Sequence, residues 1–248
     1  MFVNYRTQGF IFKKENRAEA DQLFSIYTKD FGRLEVLGKA IRKSSSKLRA
    51  GIELFYLSEI EFIQGKNYKT LTDALAWKKF QSLREDLKKL KIAYQISDIL
   101  DNLLKVEERE ESLWQLILEV FNKLNQPEIL DRKLEIIFYY FFWNFVSILG
   151  YKPELYHCLF CQKKLKPGKL YLNSQEGGIV CSDCQKKEKN VKEIDIETTK
   201  LLRIILEKDW SILSRLKMEK EQLKQLGILS KNYYDSLLEI NKFAMINL

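Results

Sequence analysis

Leu23-Phe24-Ser25-Ile26-Tyr27-Thr28, then Lys29-Asp30-Phe31, then Gly32-Arg33-Leu34-Glu35-Val36-Leu37-Gly38 is two apolar runs folded about a short polar turn. The β-branched and aromatic content suits strands, and Gly32 supplies the positive φ that a tight hairpin needs. Working outward, Phe10-Ile11-Phe12 follows Gly9 on one side. On the other, Ile52-Glu53-Leu54-Phe55-Tyr56-Leu57 precedes Glu59-Ile60-Glu61-Phe62-Ile63, which alternates with the period of two of a half-buried strand. About five short strands within about 65 residues predict a small antiparallel barrel or sandwich.

From Thr72, read as a helix N-cap, the pattern turns helical. Leu75, Leu83, Leu87 and Leu90 recur at or near helical spacing. Ile96, Ile99, Leu100, Leu103 and Leu104 make a second stripe, and Leu113, Leu116, Ile117, Val120, Phe121 and Leu124 a third, which ends at Gln126-Pro127. Glu128 to Leu149 is apolar on nearly every face after Ile136, as a helix buried among others must be, and Gly150 and Pro153 stop it. Residues 151–190 are rich in Lys, Gly and Cys and poor in periodicity, which marks an inserted module. Helical patterning returns from Ile194 through Leu201, Leu202, Ile205, Leu223, Leu226, Leu237, Leu238 and Ile240. The expected division is 1–71 for the strand domain, 72–150 for a helical domain, 151–190 for the module and 191–248 for C-terminal helices that pack with the helical domain.

The chain has 248 residues and a formal charge of +8, unevenly spread. Residues 1–80 hold 15 cations against 9 acids, 81–151 hold 9 against 12, 152–192 hold 9 against 4, and 193–248 hold 9 against 9. Two basic blocks flanking an acidic one point to a polyanionic partner, most often nucleic acid. The longest apolar candidate for a membrane span, Ile136 to Leu149, is too short and contains Asn144. With no signal-peptide pattern after Met1, the expected location is the cytoplasm, where thiols stay reduced. The single histidine, His157, removes most histidine-dependent catalytic schemes.

Cys158-Leu159-Phe160-Cys161 and Cys181-Ser182-Asp183-Cys184 are separated by 19 residues. Paired cysteines two residues apart bend the chain so that both thiolates reach one ion, and a second pair completes a tetrahedron. Zinc is the default metal, and four protein ligands leave no open position, so the site is expected to be structural. His157 is then a surface or outer residue. Lys163, Lys164, Lys166, Lys169, Lys186 and Lys187 either steady the thiolates, touch phosphate or are solvated loop residues.

Lys39-Ala40-Ile41-Arg42-Lys43-Ser44-Ser45-Ser46-Lys47-Leu48-Arg49 has five cations and no acid, with Arg33 just upstream. Such a loop suits a phosphate track and equally suits a flexible solubilising loop. Phe31, Phe55, Tyr56 and Tyr68 are candidates for base stacking or for core. Gly32 to Gly38-Lys39-Ala40 superficially resembles a phosphate-binding P-loop but has one intervening residue too many and Ala where Ser or Thr should hold magnesium. Glu107-Glu108-Arg109-Glu110-Glu111 reads as a charged helix surface, with a divalent-cation site as its enzyme alternative.

Four features together resemble the RecO family of bacterial recombination mediators. They are Gly9-Phe10-Ile11 followed by Glu19-Ala20-Asp21 and the Thr28 to Leu34 hairpin, Gly38-Lys39-Ala40-Ile41-Arg42-Lys43-Ser44, Leu149-Gly150-Tyr151-Lys152-Pro153-Glu154-Leu155 running into Cys158 and Cys161, and Gly177-Gly178-Ile179-Val180 running into Cys181 and Cys184. Glu53-Leu54-Phe55 lacks the proline that the family often carries near this point. The resemblance implies an α+β multidomain protein, with an N-terminal antiparallel β-barrel (OB-fold) followed by an α-helical bundle that carries a four-cysteine zinc module. It implies a non-enzymatic, nucleoid-associated role: binding single- and double-stranded DNA, annealing complementary strands and, with RecR, helping RecA onto DNA coated by single-strand-binding protein. The acidic C-terminal tail of that protein is expected on the helical region. The family's DNA surface points here to Arg33, Lys39, Arg42, Lys43, Lys47 and Arg49. The rival readings are a magnesium-dependent DNA-processing enzyme and a protein-only adaptor.

Overall fold

A computed structural model describes residues 3–65, 68–105, 108–129, 131–186, 188 and 190–246. Five strands come first: β1 (Asn4–Arg17), β2 (Asp21–Thr28), β3 (Gly32–Gly38), β4 (Leu57–Gln64) and β5 (Lys69–Lys78). They close into a barrel in the order β1-β2-β3-β5-β4, with β1 also pairing β4, and β3 and β5 running parallel. This is the OB-fold arrangement. β1 is long enough to serve both neighbours because it bends at a bulge between Ile11 and Lys13. In the β2–β3 turn, Thr28 Oγ1 donates to Gly32 O (2.9 Å) and accepts from Phe31 N (3.1 Å). Gly32 has φ +65°, and a Cβ there would lie 2.3 Å from Glu108 O, so only glycine fits.

Ile11, Phe24, Ile26, Leu34, Val36, Ile60, Phe62 and Leu71 fill the barrel, joined by Ile41 and Ile52 from the β3–β4 connection. Two expectations are corrected here. Residues 52–57 are not a strand: Ile52 to Tyr56 is irregular, and only Leu57 begins β4. The fifth strand is instead β5, so Thr72 caps no helix, Leu75 belongs to no helical stripe, and a boundary at 71 falls inside the strand. Leu71, Asp73, Leu75 and Trp77 alternate with small residues, but β5 buries only Leu71, so its hydrophobic signal is weak and mimics a helix start.

The chain then forms α1 (Gln81–Arg84), α2 (Leu87–Leu103) and α3 (Glu111–Leu124). Asp86 caps α2 by accepting from Lys88 N (2.8 Å) and Lys89 N (3.2 Å). These helices cover the barrel's outer side at β1 and β2. Phe121 meets Phe10 with ring centroids 4.2 Å apart, and Tyr27 Oη donates to Glu110 O at 3.1 Å. Burial there pushes the Tyr27 phenol up to about 12.

Met1–Ile129 and Leu130–Leu248 are two separate compact units. Helices α1 to α3 thus belong with the barrel, and 72–150 is not one helical body. The second unit contains α4 (Asp131–Ile148), then β6 (Leu170–Asn173), β7 (Gly178–Cys181), the one-turn α5 (Ser182–Gln185) and β8 (Val191–Ile194). It continues with α6 (Ile196–Leu206), α7 (Trp210–Leu213) and α8 (Lys220–Ile246). α4 is the buried central helix expected: Phe141, Trp143, Phe145 and Val146 are fully enclosed. Its buried Asn144 donates to Tyr140 O (2.9 Å) and Ile205 O (3.0 Å), tying α4 to α6. β8 pairs with β6, so the cysteine module runs to Ile194 rather than stopping at 190. Among the described residues, no helix is long and apolar enough to cross a membrane.

Candidate nucleic-acid interface and metal centre

The basic segment closes one end of the barrel. Ile41 and Ile52 are buried in the barrel core and Leu48 packs against it, whereas Lys39, Arg42, Lys43, Lys47 and Arg49 are exposed. The apolar residues anchor the segment and turn the cations outward. Backbone bonds hold that shape: Lys43 N to Ala40 O (3.1 Å), Ser46 N to Lys43 O (3.1 Å) and Gly51 N to Leu48 O (3.0 Å). The β1–β2 turn holds it from the side, with Ala40 N donating to Asp21 Oδ1 (2.7 Å) and Arg42 N to Ala20 O (3.0 Å).

Charge balance separates this segment from the rest of the barrel. Several barrel cations are neutralised: Arg6 by Glu61 (2.5 Å), Lys13 by Glu15 (2.6 Å) and Asp101 (2.7 Å), and Lys14 by Glu53. None of the five exposed cations of the segment has an acidic side chain within 4.0 Å among the described residues. Arg42 Nη1 donates only to a backbone carbonyl, Glu19 O, at 3.1 Å, which leaves its charge unneutralised. Anchored cations on turns with no acidic partner are suited to phosphate contact.

Arg33 lies apart from this set. Its side chain is only 12 % exposed, and it donates to Leu104 O (2.6 Å), Asp101 O (3.0 Å) and Asp101 Oδ1 (2.8 Å). It therefore caps the C-terminal end of α2, where free carbonyls and the helix dipole favour a cation. Burial alone would raise the Asp101 carboxyl, but hydrogen bonds from Lys13 and Arg33 outweigh it and hold it below the usual carboxylate range. A carboxyl depressed in the folded state stabilises above its unfolded pKa, and that contribution disappears as pH falls through the folded value. Arg33→Ala is expected to cost about 2 kcal/mol in urea unfolding at pH 7. The deficit should shrink below about pH 4, where unfolded carboxylates protonate. A deficit independent of pH would show that the ion pair is not its source.

Of the stacking candidates, Phe55 is buried against Phe121, and Phe31 packs edge-on to Tyr5 and Phe62. Tyr56 lies beneath Arg84, 5.1 Å from its ring centroid. Tyr68 alone of the four is well exposed. Trp77, also exposed, escapes the sequence pattern because its strand reads as the start of a helix.

In the second unit the four cysteines converge. Cys158 and Cys161 lie in a knuckle closed by Cys158 N to Lys163 O (2.9 Å) and Gln162 N to Cys158 O (3.0 Å). Cys181 ends β7 and Cys184 lies in α5. All four Sγ atoms lie within 4.8 Å of one another, and Cys161 Sγ is 3.9 Å from Cys181 Sγ. A tetrahedron with arms of about 2.3 Å has edges of about 3.8 Å, so the donor set fits a tetrahedral ion.

The electrostatics also call for a cation. Burial tends to raise Cys158, but backbone N–H groups of Cys161, Cys181 and Phe160 bring its thiol down to about 6. Burial and the neighbouring thiols push Cys184 up to about 12. Four thiolates cannot coexist here without positive charge between them. Exposed His157 stands outside the ligand set, 3.7 Å from Glu154. Lys163, Lys164, Lys166, Lys169 and Lys186 are exposed, and Lys187 lies outside the described residues.

The acidic run does not assemble a second metal site among the described residues. Glu110 caps α3 through Ser112 N (3.0 Å) and Glu111 lies 3.6 Å from Arg109, while Glu107 is outside the described residues.

An OB barrel with unpaired cations at one end, in one chain with helices and four clustered thiols that could hold a metal, defines a multidomain α+β protein rather than a single barrel module. The family description "Recombination protein O N terminal" matches residues 1–80, and "Recombination protein O C terminal" matches residues 84–244. A DNA repair protein RecO from Dehalococcoides mccartyi is 30 % identical over 228 residues, covering 91 % of this chain and 87 % of its own. One from Acetivibrio thermocellus is 29 % identical over 240 residues (96 % and 94 %), and one from Moorella thermoacetica 28 % over 252 (98 % and 90 %). The chain belongs to the RecO family of DNA repair proteins.

Proposed function

We propose that this chain is a recombination mediator that binds single- and double-stranded DNA and anneals complementary strands. With RecR it assists RecA loading onto DNA coated by single-strand-binding protein. The observation that carries the reading is the set of five exposed cations without acidic partners among the described residues, Lys39, Arg42, Lys43, Lys47 and Arg49, gathered in one acid-free segment anchored on the barrel. Annealing brings two polyanions together, so a protein that replaces their counterions lowers the barrier without any catalytic residue. The work is non-enzymatic, in the cytoplasm at the nucleoid. Arg33 takes a positioning role in this scheme, not a phosphate contact.

The cysteine cluster holds zinc, which when bound supplies a fixed crosslink between the knuckle at Cys158 and the β7–α5 turn. The helical region docks the acidic tail of single-strand-binding protein.

The test is fluorescence-monitored annealing of complementary oligonucleotides coated with single-strand-binding protein, in a salt series without magnesium. Annealing that weakens with salt and leaves strands intact is the expected result. Strand cleavage that requires magnesium would favour the DNA-processing enzyme. Neither binding nor annealing would reject the reading and leave a protein-only adaptor.

A further inference from the structure

Among the described residues, helices cover the outside of the barrel at β1 and β2 and leave the outer side of β5 in solvent. On β1 and β2, Phe10, Phe12, Leu23 and Tyr27 are all buried. On β5, Leu75 is 62 % and Trp77 54 % exposed. The β4–β5 register slips at two bulges, one at Thr72 between inward Leu71 and outward Asp73, and one at Trp77 between Ala76 and Lys78, so exposure rather than simple alternation places both side chains on the solvent side. Trp114 and Trp143 are buried and Trp210 is half-buried, so Trp77 is the well-exposed indole.

The two edges of this face differ in charge. Along one edge the turn at Leu48–Ala50 packs so closely on β5 that a Cβ on Gly51 would lie 1.8 Å from Ala74 O. Lys47 and Arg49, without acidic partners, therefore border the strand. Along the other edge β4 places Glu59 opposite Leu75 and Glu61 opposite Asp73, and the single cation Arg6, paired with both glutamates, leaves the three carboxylates in net excess. A phosphate backbone is attracted to the first edge and repelled from the second, which leaves its bases over the apolar middle.

Resting on the DNA-binding reading above, we propose that the outer face of β5, centred on Trp77 and Leu75, is a base-stacking platform for single-stranded DNA. Every unpaired base offers a π-face to an indole, whereas the bases of a duplex are already stacked on one another. The platform gives single strands a preference that the cation track by itself lacks.

The test uses the full chain and an oligothymidylate of roughly 16 nucleotides, the upper end of the span of one OB barrel. Binding is expected to quench tryptophan fluorescence. Trp77→Ala should abolish the quench and weaken single-strand affinity about fivefold or more, while duplex affinity stays unchanged and Trp77→Phe keeps most of the affinity. Trp77 is exposed, so these variants should melt like the parent protein. Tight binding without a quench, or with equal affinity in Trp77→Ala, would overturn the platform while leaving the cation track standing, and would turn the face over to a protein partner. An equal loss on duplex would overturn it too. If the unaltered chain bound neither DNA form, the platform would fall together with the DNA-binding reading.

Discussion

Stripping the metal from the four-cysteine cluster, or replacing Cys158 with serine, is expected to lower the unfolding midpoint of the second unit by about 15 °C, a loss of roughly 4 kcal/mol. The reason lies in how little else holds the module. β6 and β7 have four residues each, and α5 is a single turn. Cys158 is the most enclosed ligand, and Cys181 N donates to its Sγ at 3.4 Å. Serine there would leave a buried site with three thiolates and a weak fourth donor. Without an ion, the clustered thiols must also retain protons, as the raised Cys184 requires. Melting with and without chelator, alongside metal content by mass spectrometry, reads the effect directly. DNA affinity of the protein that remains folded should change far less. A chelated preparation that melts like the untreated one would reject the crosslink role.

The second large effect concerns the basic segment. Changing Lys39, Lys43, Lys47 and Arg49 together to alanine is expected to weaken single-strand binding about a hundredfold or more in low salt. The slope of log affinity against log salt should fall by roughly 0.7 for each phosphate no longer neutralised. Stability should hardly change, because these side chains are exposed and carry no ion pair among the described residues. Arg42→Ala with Lys43→Ala should give a smaller loss in the same direction, uniform across DNA sequences. Arg33→Ala supplies the contrast: its cation faces Asp101 and the end of α2, so it should cost stability and spare DNA affinity. Unchanged affinity and slope in the fourfold variant would move the DNA surface elsewhere.

Some of the architecture is legible in the residues themselves. The hairpin from Leu23 to Gly38 declares itself because it combines β-branched and aromatic runs with a glycine at the turn. The burial of α4 is legible because apolar residues cover all its faces. β5 is not, since its outer side carries Leu75 and Trp77 in solvent, and its inner side uses small residues such as Ala74 beside Gly51. A strand whose apolar side chains face water sends a pattern signal opposite to the one used to find strands. For the same reason the exposed indole escapes notice in the sequence, while enclosed Phe55 stands out there as a stacking candidate.

Local chemistry, then, was the sequence's own to determine. The spacing of Cys158, Cys161, Cys181 and Cys184 requires only that two short loops meet, and the acid-free run from Lys39 to Arg49 stays cationic in any fold. What the tertiary structure alone decided is which charges are used up. Arg33 and Lys39 are cations at the two ends of β3, yet the last turn of α2 encloses the first and nothing described neutralises the second. That difference depends on a carboxylate 68 residues away in the chain. Pairing over such distances is created by packing the helices against the barrel, and no local pattern encodes it.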